Sequence, residues 1–309
     1  MIRNKVGSTS SLSRRGMVAV VALFASLIVL GSASSALATE HHPKGDFAVF
    51  NQCPLSNPAT NVCIFAQTES GEFIVGKKTV PIKNTITLQG GVHVIFNAER
   101  EIVGTEFIGA ENGVTLSKTP QNVPGGLAGL VNCFEISNFF ERIACEVIFE
   151  NGLTGVTATT ELAAPASSIL LSGQNLIEAE GTALFLPVKV KLGNPLLGES
   201  CYIGSNSSPI SLSLTTGTTS PPAPNEPITG KIGKVEFKDE AAVTVIRENS
   251  LVDNSFAAPA AEGCGGIFAF LIDPLVNAKL GAPSAAGHNT AILSGTVEQG
   301  NATYVKASE

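Results

Sequence analysis

The chain has 309 residues, a formal net charge of −7 and only 15% charged residues, against roughly 25% in ordinary soluble domains. Its 44% hydrophobic content and mean hydropathy of +0.27 exclude a disordered chain. The acidic balance argues against a nucleic-acid partner, which requires clustered Lys and Arg.

The first predicted element is an export signal. Arg3, Lys5, Arg14 and Arg15 precede an apolar run from Met17 to Leu30, and the small residues after it end in Ala36-Leu37-Ala38, a site for cleavage after Ala38. The run is shorter than the about 20 residues a spanning helix needs, so cleavage leaves no transmembrane anchor. Ser13-Arg14-Arg15 before Met17 and Val18 also fits a twin-arginine signal; an ordinary secretory signal containing two arginines accounts for the same residues. Residues 39–309 then read as a single secreted β-rich domain.

Beyond the signal, short apolar runs are cut by Gly, Ser, Thr and Pro, the pattern of a mainly β protein. The expected fold is a disulfide-stapled β-sandwich or barrel-like domain with one or two short helices. Strands are predicted over 46–50, 63–67, 72–75, 85–96, 101–108, 154–161, 232–237, 242–247, 290–298 and 302–306, with a bulge or hairpin turn at Gly90-Gly91. Apolar residues spaced three and four apart predict a helix, or two short ones, over Leu127 to Ile148. Val188, Val190 and Leu192 alternate with Lys189 and Lys191 behind Pro187, which suits an exposed or edge strand. Ile210, Leu212 and Leu214 alternate with Ser211 and Ser213, a half-buried strand. Thr215 to Thr229 contains four prolines, in Pro221-Pro222-Ala223-Pro224 and Pro227, and reads as an extended surface loop or a subdomain boundary at 215–229. A second short helix is predicted from Ile267 to Leu280, broken near Pro274.

All six cysteines follow the signal, and an even count in an exported chain predicts three disulfides. Short loops close most readily, so the expected pairs are Cys53–Cys63, Cys133–Cys145 and Cys201–Cys264. No CxxC pair is present and the histidines are scattered, so neither a metal nor another cofactor is expected.

Catalytic signals are sparse. The G-x-S-x-G motif is absent. His93 lies inside an apolar β-like run and reads as a core-edge residue, whereas His288, in the loop Ala285-Ala286-Gly287-His288-Asn289-Thr290, is the functional candidate. Val252-Asp253-Asn254-Ser255 reads as a turn. Glu178 with Glu180, or Glu99 with Glu101, would be the carboxylate pairs of a glutamate-based hydrolase. With no Trp and only Tyr202 and Tyr304, a sugar-stacking platform is poorly supplied.

Three stretches carry a resemblance: Asn51-Gln52-Cys53-Pro54 with Cys63, Asn194 to Ser208, and Ser284 to Thr290. They resemble uncharacterised secreted proteins of actinomycete-type bacteria over most of the chain after the signal. The resemblance implies export and a shared fold, and brings no activity or catalytic residue with it. The function expected from the sequence is therefore non-catalytic: a structural or adhesion-like interaction role outside the cell or at the envelope, through self-association or as an envelope component. An extracellular carrier of an apolar small molecule is the alternative, and the glutamate-based hydrolase a second one.

Overall fold

The computed structural model describes residues 41–127, 137–140, 142–143 and 155–309. The export signal, the Cys133–Cys145 pair and most of the Leu127–Ile148 segment lie outside these residues. In chain order the strands are β1 (Val62–Val75), β2 (Lys78–Ile82), β3 (Ile86–Phe96), β4 (Ile102–Gly109), β5 (Pro120–Asn122), β6 (Thr157–Leu162) and β7 (Leu170–Leu171). They continue as β8 (Leu184–Gly193), β9 (Tyr202–Ile203), β10 (Ile210–Leu214), β11 (Lys234–Lys238), β12 (Val243–Asp253), β13 (Ala261–Glu262) and β14 (Thr290–Asn301). Short helices join them, among the described residues α1 (Gly173–Glu178), α2 (Ala269–Leu280) and α3 (Ala302–Ala307).

The strands form two antiparallel seven-stranded sheets, neither closed into a barrel. One runs β11-β12-β14-β1-β3-β4 with β2 also on β1; the other runs β13-β9-β8-β6-β5 with β10 and β7 also on β8. Side chains alternate across a strand, so each sheet turns one face inward. β10 shows this most simply, with Ile210, Leu212 and Leu214 buried and Ser211 and Ser213 exposed. Inward residues of both sheets, among them Ile64, Leu88, Val188, Leu212, Leu251 and Leu293, merge into one hydrophobic core, a sandwich-like arrangement. A second cluster closes one end, where Phe47, Phe50 and Val305 pack on Val243, Val245 and the Cys53–Cys63 disulfide. Cys201–Cys264 staples β9 to the segment leading into α2.

Several sequence expectations are corrected. Residues 46–50, expected as a strand, belong to a 3-10 helix spanning Gly45–Phe50. Residues 302–306, also expected as a strand, form α3, where Asn301 Oδ1 accepts from the Thr303 N–H and ends the ladder. Gly90-Gly91 makes no turn: β3 continues through both, paired on β1 and β4. A Cβ at Gly90 would come within 2.4 Å of the Ile108 carbonyl oxygen, so glycine permits this close approach.

Lys189 and Lys191 lie on an interior strand, β8, not an edge. Their heads project from the outer face, Lys189 to Asn206 Oδ1 and Lys191 to Glu199. Pro187 lies just past the end of β6, where its carbonyl accepts from the Ala163 N–H at 3.0 Å. Pro274 does not break α2, which is continuous from Ala269 to Leu280 with the proline on its exposed side.

Candidate functional site

The centre of the first sheet is disrupted at one level on both sides of β14. In β1 the register shifts between Thr68 and Ser70, so Glu69 is bulged opposite Gly295 and Ser294. In β12 it shifts between Ile246 and Asn249, so Arg247 and Glu248 together oppose Thr296. These bulges coincide with a change of outer partner. β3 pairs with β1 up to Thr68, and β2 takes over from Gly71. β11 pairs with β12 up to Arg247, and Lys231 bridges to Ser250 beyond it. A strand that switches partners must bend, and a bulge supplies the bend and extra twist.

Two residues hold this arrangement. Gly295 leaves room for the β1 backbone, since a Cβ there would lie 1.9 Å from the Gln67 carbonyl oxygen. Asn249 is buried in the β12 bulge, and its Nδ2 donates to the Ile246 and Gly295 carbonyls at 3.1 and 2.9 Å. Its side chain thereby satisfies main-chain acceptors that the broken ladder leaves open.

The outward side of this double bulge is a depression of about 520 Å³. Ser70, Ser294 and Ser250 are in register across β1, β14 and β12, and Ser294 Oγ donates to Ser250 Oγ at 3.0 Å. Lys231 and Lys234 grip Glu248 at 3.5 and 2.8 Å, and Arg247 pairs with Glu236 at 3.2 Å. The Lys234 hydrogen bond holds the Glu248 carboxyl below its ordinary range, while Glu248 raises Lys234. A carboxylate kept ionised in this way is an acceptor and a poor proton donor. The depression, lined by serine hydroxyls, paired cations and carboxylates, can therefore recognise polar groups.

A second surface feature is the β3–β4 hairpin. Among the described residues β4 is the last strand of its sheet, and Ile102 to Glu106 pair only with β3. This arm carries Ile95, Phe96, Ile102 and Val103 in the open, with Ile102 65% and Val103 60% exposed. Its turn is fixed by Asn97, whose Oδ1 accepts from the Glu101 N–H and whose Nδ2 donates to the Glu101 carboxylate.

The sequence candidates are dispersed. His288 is an exposed loop residue, and its neighbour Asn289 is the fully buried one. Asn289 Oδ1 accepts from Gly76 N–H at 3.0 Å, and Nδ2 donates to the Phe256 carbonyl at 2.9 Å and the Ala285 carbonyl at 3.0 Å. His93 lies opposite Glu106 on the β3–β4 arm. Glu99 and Glu101 sit at the tip of that arm, and Glu178 and Glu180 follow one another at the end of α1, all four exposed. Asp253 spends its carboxylate on the main-chain N–H groups of Ser213 and Ser255. His41 Nδ1 pairs with Glu309 Oε1 at 2.5 Å. Among the described residues no three His, Cys, Asp or Glu side chains cluster as metal ligands, and no helix is long and apolar enough to cross a membrane.

The double bulge escapes a sequence reading, because both shifts are set by pairing with Gly295 some 50 and 230 residues away in the chain. The exposed arm is partly signalled by the apolar runs on either side of Asn97 to Glu101. No protein-family model, curated protein or solved structure matches the chain.

Proposed function

We propose that this is an exported, non-catalytic interaction protein with a structural or adhesion-like role outside the cell or at the envelope, and that the β3–β4 arm is its contact surface. The observation that carries the reading is the arm itself. Exposed apolar side chains on a sheet edge that is unpaired among the described residues offer both a hydrophobic contact and open main-chain hydrogen-bonding groups. Such an edge accepts a further strand by β-augmentation. Two disulfides suit an oxidising compartment. The buried polar side chains Asp253, Asn249 and Asn289 are committed to main-chain groups, a structural use.

The test compares the wild-type protein with the double variant Ile102→Lys, Val103→Glu in light scattering and in envelope fractionation. The wild type is expected to associate or to co-fractionate with the envelope. The variant, with an unchanged melting temperature, is expected to be monomeric and released. A wild-type protein that stays monomeric and is never recovered with the envelope overturns the reading.

A further inference from the structure

The space between the two sheets is not fully filled. Two cavities of about 50 Å³ each lie there, and they adjoin at Phe73, Thr160 and Leu212, which line both. Protein interiors are close-packed and leave few such voids. The inward residues Phe73, Val80, Ala158 and Val190 are correspondingly only half-buried, although each faces the opposite sheet.

The first cavity has a nearly all-apolar wall with one charged residue, Lys78. In the β1–β2 hairpin, Lys78 is the cross-strand partner of Val75, as Val80 is of Phe73. The two-residue alternation of β2 places Lys78, Val80 and Ile82 on the same inward face. Lys78 makes no hydrogen bond or ion pair among the described residues, in a chain whose net charge is negative. Thr160, paired with Val190 on the inward face of β6, presents a hydroxyl that also has no hydrogen-bond partner among the described residues. Among the described residues β2 has β1 as its one ladder partner, and an inward lysine on an edge strand discourages pairing with another chain. That role accounts for the charge and leaves the adjoining apolar voids unexplained.

We propose that this slot binds a small monocarboxylate with an apolar tail, a fatty acid of medium chain length. The tail fills the two adjoining cavities between the sheets, with the Phe73 ring turned aside to connect them, since an apolar void favours a hydrocarbon. The carboxylate meets the Lys78 ammonium, with the Thr160 hydroxyl as a second donor. The site goes beyond the interaction reading and is independent of it, since none of the four apolar residues of the arm lines either cavity.

The experiment titrates octanoate and 1-octanol into the disulfide-intact protein and follows amide chemical shifts by NMR. Octanoate is expected to saturate one site and to shift the amides of Ala158, Thr160, Val190 and Leu212. Lys78→Met should weaken octanoate about ten-fold, a loss on the scale of one partly desolvated ion pair, and leave 1-octanol unchanged. Absence of saturable octanoate binding, shifts confined to the outer surface, or equal octanoate affinity in the wild type and K78M each overturn the proposal.

Discussion

Asp253 Oδ2 accepts a hydrogen bond from the Ser213 main-chain N–H at 2.7 Å, tying the end of β12 in one sheet to β10 in the other. The second carboxylate oxygen accepts from Ser255 N–H at 2.8 Å. Next to this contact, Thr215 and Val252 exchange both of their main-chain hydrogen bonds, at 3.0 and 2.8 Å. The two sheets are thus linked by backbone as well as by side-chain packing. Burial pushes the Asp253 carboxyl above its ordinary value of 3.8, and the two N–H donors offset part of that rise.

A raised folded-state pKa means that the native protein holds this proton more tightly than the unfolded chain. The stability from this group is complete below pH 3.8 and is lost as pH rises through the raised value. Asp253→Asn leaves one of the two N–H groups facing an amide donor, which costs about 1–3 kcal/mol. The wild-type advantage over D253N is expected to be largest near the acid end and to narrow as pH rises through that window. Urea denaturation of both proteins at a series of pH values checks this; an advantage that grows with pH would refute it.

Adjacent loop residues should behave oppositely. His288 is exposed, and His288→Ala is expected to change stability by no more than about 0.5 kcal/mol. Asn289 joins the β1–β2 turn at Gly76 to the segments around Phe256 and Ala285. Its own carbonyl also accepts from Asn225 Nδ2, which anchors the proline-rich loop. Asn289→Ala strands buried main-chain groups on three segments and is expected to cost about 3 kcal/mol or more. Thermal unfolding of the two alanine variants, side by side, measures the contrast.

The degree to which this fold can be read from sequence depends on where the determining contacts lie. β10 is legible because its period-two pattern is the burial pattern itself. The lysines of β8 mark a solvent face correctly, yet a solvent face occurs on interior strands wherever no layer covers the sheet, so they carry no information about edges. The 46–50 and 302–306 segments combine aromatic and β-branched residues with helical geometry, because their side chains fill the open end of the core around Val243 and Val245. Tertiary packing there outweighs the local preference of Phe and Val for strands. Of the candidate sites, only the arm leaves a local trace. The inward placement of Lys78 depends on β2 pairing to β1, and the inter-sheet voids depend on contacts between strands distant in the chain.

The two described disulfides differ in what they restrain. Cys53–Cys63 closes a loop of sequence separation 10, and Cys201–Cys264 one of 63. On the chain-entropy account, stabilisation grows with the logarithm of loop length, giving about 2.7 kcal/mol for the short loop and about 4.3 kcal/mol for the long one. The longer bridge also spans the proline-rich segment Thr215 to Thr229 and β10 to β12, so its removal frees much of both sheets in the unfolded chain. Its neighbourhood is further tied by Asp273, whose carboxylate accepts from Gly263 and Cys264 N–H groups at 3.1 and 2.7 Å. Paired Cys→Ser variants of each bridge, compared by urea denaturation under identical conditions, are expected to rank C201S/C264S as the less stable by about 1.5 kcal/mol. A reversed order would show that the Cys53–Cys63 bridge acts chiefly by holding the native cluster of Phe47, Phe50 and Val305 together, through packing in the folded state and not through the entropy of the unfolded one.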